Sequence, residues 1–346
     1  MTSQSPRHII ITDQSRGLPY SKGLMASSLM VSGLPPTEAF KIAQRIEESL
    51  TTENRFEVSS TDLRDMAAGM LEGVNSRYSD AYLKWQMVEE LDAPLVVLLG
   101  GATGVGKSTT ATQLAARLGI TRVISTDAIR EVLRSAFSRE LMPTLYESSF
   151  QADRALQVPL PKTADRLIIG FQRQVSAVAV GVKALIARAM EEGTDIIVEG
   201  AHVVPGFLEG WEEEFQSAVL VPIVMTVKDQ DLHQSHFHIR ALETRSNRHQ
   251  EYLKHFGQIR KIQQHIDQLA GEHGVPVIQA FDLDSTLHEI VSIIVEKALT
   301  SPLVKDQADS AVPAAFEVND EGDVVRTRKL TRLKSWEIFA GRRRPN

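Results

Sequence analysis

Three observations predict an α/β fold with a central parallel sheet and helices on both of its faces. Five short apolar runs are separated by longer helix-period stretches, strand and helix alternate throughout, and a glycine-rich turn joins the first run to the helix after it. The runs are Leu95–Leu99, Arg122–Ser125, Asp195–Glu199, Leu220–Val227 and Pro276–Gln279. They occupy residues 93–300, which read as one domain. In such sheets a ligand sits beyond the carboxyl ends of the strands, which is where chemistry-bearing residues are expected.

Residues 1–92 read as a separate, small and mostly helical domain. His8–Thr12 opens it as a strand, and Leu24–Ser32 is amphipathic. Pro35-Pro36 stops that element, and Thr37 caps a helix that runs through Leu50. Ser60 or Thr61 starts the helix Asp62–Glu72, a further helical stretch covers Ser79–Leu91, and Asp92-Ala93-Pro94 ends the domain. Residues 301–346 form an extension in which Ala314–Val318, Asn319–Gly322 and Asp323–Val325 read as a hairpin. The basic end, Arg342-Arg343-Arg344, reads as a solvated tail.

Bulk composition excludes several classes of function. Of the 346 residues, 42% are hydrophobic and 24% charged, the balance of a water-soluble globular chain. The formal net charge of -6 argues against a nucleic-acid partner. There is no cysteine, so disulfides and thiolate metal sites are excluded. No apolar run approaches the ~20 residues that span a bilayer, so no membrane partner is expected and a cytoplasmic location is.

The turn after the first strand is Gly101-Ala102-Thr103-Gly104-Val105-Gly106-Lys107-Ser108, a full match to the phosphate-binding pattern G-x-x-x-x-G-K-[ST]. The glycines allow the backbone to wrap a phosphate chain, and free N–H groups at the start of the following helix point at the anion. Gly101, Thr103, Gly104, Val105, Gly106, Lys107, Ser108 and Thr109 are therefore expected to bind ATP. Lys107 would reach the β- and γ-phosphates, and Ser108 would join the Mg²⁺ shell.

A phosphotransferase also needs a positioned acceptor and positive charge on the transferring group. Asp127 follows the second strand and is expected either to take the acceptor proton or to hold a water on Mg²⁺; Arg130, three residues on, would grip an anionic acceptor. Glu199 ends the third strand and is expected in the metal shell, with His202 close behind it. The basic stretch Phe237–Arg260 holds Arg240, Arg245 and Arg248, which would close over the phosphates as a lid. The histidines there, His233, His236, His238, His249 and His255, match no zinc-ligand spacing and are expected to be solvated or part of the lid. Pro143–Phe150, with Tyr146, suits a segment that caps the substrate.

Taken together, GGATGVGKST at Gly100–Thr109, ISTDAIREVLR at Ile124–Arg134, PTLYESSF at Pro143–Phe150, VEGAH at Val198–His202 and RHQEYLKHFGQIRKIQ at Arg248–Gln263 resemble the 2-phosphoglycerate kinase family of P-loop kinases. The resemblance implies a P-loop kinase fold and ATP-dependent phosphorylation of 2-phosphoglycerate to 2,3-bisphosphoglycerate. It also implies that Asp127, Arg130, Tyr146, Glu199 and His202 surround a small phosphorylated acceptor. Residues 1–92 resemble the ATP-cone, a regulatory nucleotide-binding module, in His8–Thr12, Pro19–Lys22, Gly33–Leu50 and Val58–Leu63. They depart from it after the first strand, where Thr12-Asp13-Gln14-Ser15-Arg16-Gly17 replaces the module's basic turn. An allosteric nucleotide on this domain is the implied partner.

Two other readings stay open from sequence: a P-loop kinase of another anionic polyol, such as an inositol phosphate, and a non-catalytic ATP-sensing regulator. A polynucleotide kinase is disfavoured by the acidic balance and by the lack of a basic stripe with stacking aromatics. Assembly into a homo-oligomer is left open as well.

Overall fold

The computed structural model describes residues 8–13, 16–157, 159–243, 248–303, 317–318 and 324–325. The chain divides into two compact units. One comprises Met1–Asp92, Ala116–Gly119 and Ala298–Asn346; the other comprises Ala93–Ala115 and Ile120–Lys297.

In the first unit, β1 (Ile10–Asp13) and β2 (Arg16–Pro19) pair antiparallel, and β3 (Glu57–Val58) joins β1 in parallel. Four helices accompany this small sheet: α1 (Lys22–Met30), α2 (Pro36–Thr52), α3 (Ser60–Glu72) and α4 (Ser76–Glu89). Three of the four starts are set by a side chain. Ser21, Ser59 and Asn75 each accept from a backbone N–H of the first turn. The exception is α2, where Pro36 occupies the first turn and no side-chain cap forms, so the cap expected from Thr37 is replaced by a proline start. Proline fits there because its missing N–H would have had no helical partner. Helix α2 turns Ala39, Ile42, Ala43, Ile46 and Leu50 inward at helical spacing, onto Leu29, Leu63, Leu71 and Tyr82.

The second unit begins with β4 (Leu95–Gly100), α5 (Lys107–Leu118), β5 (Val123–Ser125) and α6 (Thr126–Ala136). Two short 3₁₀ turns, Pro143–Tyr146 and Ser149–Ala155, lead into the long α7 (Arg166–Glu191). Then come β6 (Ile196–Glu199), the single turn α8 (Trp211–Glu214), β7 (Val219–Thr226) and α9 (Gln230–Glu243). After α10 (Arg248–Lys254) and α11 (Phe256–Glu272), β8 (Val277–Gln279) and α12 (Leu283–Thr300) complete the set. In the extension β9 (Glu317–Val318) pairs antiparallel with β10 (Val324–Val325); Arg342-Arg343-Arg344 lie outside the described residues.

The sheet of the second unit is parallel throughout, in the order β5-β6-β4-β7-β8. Its central strand β4 is buried along its whole length, which is why Leu95–Leu99 reads as an unbroken apolar run. Helix α7 lays Val178, Val182, Ile186 and Ala189 into the same core as Val96, Leu98, Ile196 and Val198. The register sets Leu99 of β4 beside Glu199 of β6, and Gly100 beside Val224 of β7. A glycine loop leaving β4 is therefore flanked by the carboxyl ends of both neighbours. Among the described residues no helix is long and apolar enough to cross a membrane.

Ile46 is fully buried in the first unit. Ile46→Ala should cost about 2–5 kcal/mol of stability, read as a lower denaturant midpoint of the full chain. A loss within about 0.5 kcal/mol, the range of surface changes, would contradict the packing of α2.

Candidate active site

The loop between β4 and α5 is shaped by its glycines. Gly104 has φ of 90°, in the left-handed region, and a Cβ there would run into the Phe237 ring. Conformation and close approach both demand glycine at that position. Helix α5 starts at Lys107, so its first N–H groups face back over the loop. Lys107 is buried and its Nζ donates to Ala102 O at 2.7 Å. The Ser108 hydroxyl donates to Glu199 Oε1 at 2.9 Å. Glu199 is only 5% exposed, carried to this point by the last residue of β6. A serine oxygen and a buried carboxylate are hard donors, and Mg²⁺ takes only one or two such protein ligands beside phosphate and water. The residues present thus fit Mg²⁺ with a nucleotide.

A cleft of about 650 Å³ opens over this loop; Thr103–Thr110 form one wall, and Ser125, Asp127, Glu199 and Gly200 face them. Asp127 stands in the first turn of α6, but it is not the helix cap. Ser125 performs that role, accepting from Ala128 N at 3.1 Å. The Asp127 side chain is left 78% exposed, with Arg130 Nε at 3.4 Å. Two of the acids lining the cleft differ in character: Glu199 is buried against Ser108, and Asp127 is open to solvent.

Three other expected acceptor residues are turned to a different task. Arg130 Nη1 donates to the carbonyls of Leu145 (2.8 Å) and Glu147 (3.3 Å). The Tyr146 hydroxyl donates among the carbonyls of Arg134 and Phe137, at 3.0 and 2.7 Å, outside the cleft. His202 is buried, its Nδ1 at 2.9 Å from Thr126 Oγ1 and its Nε2 at 3.0 Å from Gln174 Oε1. The amide nitrogen of Gln174 donates to the carbonyls of Thr144 (2.5 Å) and Glu147 (2.9 Å), so its oxygen must accept from His202 Nε2. His202 Nδ1 is then the acceptor for Thr126. Burial pushes the imidazole down to about 4, and the nearby Arg130 and Lys107 charges act in the same direction against Asp127. The chain Thr126–His202–Gln174, with Arg130, fastens the 143–147 segment to the strand ends. From sequence these residues are expected at the substrate; in the structure their polar atoms bond Thr126, Gln174 and the carbonyls of Arg134, Phe137, Leu145 and Glu147.

The basic stretch after β7 also differs from expectation. Arg240 belongs to α9 and Arg248 to α10, while Arg245 lies outside the described residues. Arg260 bonds the carbonyls of Val227 and Lys228 at the end of β7. Of the histidines expected to be solvated or in a lid, His238 is exposed, whereas His233 and His255 are buried. His233 Nε2 lies 2.8 Å from Thr103 O and His236 Nδ1 lies 2.8 Å from Gly104 O. Among the cleft residues that sequence does not single out are Phe281, 76% exposed just beyond β8, and Ile239 on α9. An aromatic directly after a strand end was the available signal, but exposure cannot be read from a sequence.

A parallel sheet of this order with a phosphate-binding loop at its central strand, a buried acid on the loop serine and an exposed acid across the cleft defines a P-loop small-molecule kinase. A family model described as an AAA domain matches residues 96–261. The chain is 38% identical over 288 residues to the 2-phosphoglycerate kinase of Methanothermobacter thermautotrophicus, covering 83% of this chain and 92% of that one. It is 39% identical over 292 residues to the 2-phosphoglycerate kinase of Thermococcus kodakarensis, covering 84% and 98%. A looser likeness, at 13% identity and a TM-score of 0.35 over 62% of this chain and 98% of the other, is to the solved gluconokinase from Sinorhizobium meliloti 1021. The chain belongs to the 2-phosphoglycerate kinase family.

His202 generates a pH dependence. Its ordinary value is 6.5 and its folded value about 4, so between these the unfolded chain binds more protons than the folded one. Stability is then complete above pH 6.5 and falls as pH drops toward 4, by on the order of 3 kcal/mol. Denaturant midpoints between pH 7 and pH 4.5 should fall less steeply in His202→Gln than in the wild type; equal slopes would contradict the buried neutral imidazole.

Proposed function

We propose that the chain transfers the γ-phosphoryl group of ATP to the free hydroxyl of 2-phosphoglycerate, giving ADP and 2,3-bisphosphoglycerate. The observation that carries the reading is the exposed Asp127 carboxylate, facing the phosphate-binding loop across the cleft with no capping role to occupy it. The family supplies the acceptor: relatives 38% and 39% identical to this chain over most of their length are named 2-phosphoglycerate kinase.

In this reading the loop backbone from Gly101 to Gly106 and the start of α5 bind the nucleotide phosphates, with Thr103, Val105 and Thr109 lining the cradle. Lys107 neutralises the β- and γ-phosphates. Ser108 and Glu199 would hold Mg²⁺, which when bound offsets negative charge on the phosphate oxygens. Asp127 accepts the proton of the attacking hydroxyl as the new oxygen–phosphorus bond forms and the bond to the β-phosphate oxygen breaks. Arg240, Arg245 and Arg248 are assigned to the lid that closes on the transferring group. Arg130, Tyr146 and His202 position the 143–147 segment against the acceptor. Ile239 and Phe281 give the mouth of the cleft an apolar surface suited to a flat base.

The first unit is assigned a regulatory role, with nucleotide as its ligand. Its motif resemblance supports this, while Lys22, at the end of the matching Pro19–Lys22 segment, pairs with Glu47 at 2.9 Å. Equilibrium dialysis of the full chain with labelled ATP tests the assignment. Two bound nucleotides per chain are expected, and a stoichiometry of one would remove it.

Asp127→Asn should keep ATP affinity and lose phosphoryl transfer by about 10²-fold or more, the usual worth of a positioned base. ADP release with Mg-ATP, compared across 2-phosphoglycerate, 3-phosphoglycerate, glycerate and inositol phosphates, tests the acceptor. Turnover confined to an inositol phosphate would discard 2-phosphoglycerate, and unchanged transfer in Asp127→Asn would discard the base.

A further inference from the structure

We infer that His233 and His236 on α9 are positioning residues for the phosphate cradle, turning two successive loop peptides so that their N–H groups face the nucleotide. The argument begins with what each imidazole can donate. A carbonyl oxygen only accepts, so the contacts to Thr103 O and Gly104 O require a proton on His233 Nε2 and on His236 Nδ1. For His233 the tautomer is fixed from the other side as well. Arg260 Nη1, which can only donate, lies 3.4 Å from His233 Nδ1. His233 is wholly buried, stacked on Phe237 at 5.4 Å and edge-on to Phe256 at 5.3 Å. Burial holds it down to about 4, so it stays a neutral ring with a single proton, on Nε2.

The geometry of the peptide unit does the rest. In a planar trans peptide the C=O and the following N–H point in opposite directions. Binding the Thr103 carbonyl to α9 therefore turns the Gly104 N–H away from α9, and binding the Gly104 carbonyl turns the Val105 N–H likewise. Successive N–H groups aimed at one concavity form an anion nest. Without donors behind them, these two peptides are free to flip, since the glycine at position 104 permits it. The same contacts join the cradle to α9, the helix that leads into the basic lid segment.

The inference rests on the kinase reading only for its catalytic arm; the binding arm needs no acceptor. The probes are ATP and ADP, titrated against the full-length chain by calorimetry, with circular dichroism confirming the fold of each variant. A glutamine amide nitrogen stands near where imidazole Nε2 was, and an asparagine nitrogen near where Nδ1 was. His233→Phe, which keeps the stacking but removes the donor, should weaken both nucleotides about 10-fold or more, the equivalent of one modest hydrogen bond. His233→Gln should recover most of that loss and His233→Asn should not. For His236 the order should reverse, with His236→Asn recovering binding and His236→Gln failing. Wild-type affinity in folded His233→Phe, or equal losses in the Gln and Asn variants at either position, would overturn the inference. If the wild type binds ATP with this pattern of variants but transfers nothing to 2-phosphoglycerate, the acceptor reading fails and the inference stands.

Discussion

A phosphate cradle made of backbone must keep its N–H groups unpaired and pointing inward, and much of the second unit is arranged around that constraint. An inward N–H implies an outward carbonyl, and an outward carbonyl in a buried loop needs a donor. Three side chains supply donors here. Lys107 bonds Ala102 O, His233 bonds Thr103 O and His236 bonds Gly104 O, so three consecutive loop carbonyls are satisfied by side chains, two of them from α9. The central place of β4 between β6 and β7 makes this arrangement feasible, because elements following both neighbours reach the loop.

The segment beside the cleft is secured by the same logic. Residues 143–147 form a 3₁₀ turn and its exit, leaving carbonyls that no helix or strand satisfies. Gln174 and Arg130 satisfy them, and His202 holds Gln174 in the orientation that makes this work. Each member is more valuable to its partners than any one bond suggests. Removing one leaves a buried donor or acceptor unsatisfied, at about 1–3 kcal/mol for each such group. Gly200 belongs to the same unit, since its φ of 150° and its contact with Thr126 allow β6 to turn directly against the start of α6.

How much of this was legible in sequence follows from the range of each signal. The strands of the second unit and the loop from Gly101 to Ser108 are local patterns, and their periodicity and spacing are complete within about ten residues. Glu199 was legible for a similar reason, as an acid ending an apolar run. What sequence misread was partnership. His202, Arg130 and Tyr146 stand near a cleft, but whether such a residue faces a ligand or a neighbouring carbonyl depends on Gln174 and on the 143–147 backbone, which are distant in sequence. The α9 histidines failed for a related reason. A polar, histidine-rich stretch reads as solvated, whereas His233 is buried by Phe237 and Phe256 and by a loop 130 residues earlier in the chain.

Two acids lining the cleft, Glu199 and Asp127, are set apart by burial more than by residue type. Glu199 is enclosed and accepts from Ser108, which suits a fixed negative charge that must not take the acceptor's proton. Asp127 is 78% exposed, with Arg130 Nε at 3.4 Å, an openness that suits the base proposed for it. In the roles proposed for them, exchanging their environments would give a base that cannot be reached and a metal ligand that wanders. The register of β4 against β6 prevents that exchange. It fixes Glu199 beside Leu99, where β4 runs into the loop, while Ser125 caps α6 and leaves the Asp127 side chain without a capping role on its first turn. The difference in burial between the two carboxylates is thus set by strand register and helix capping.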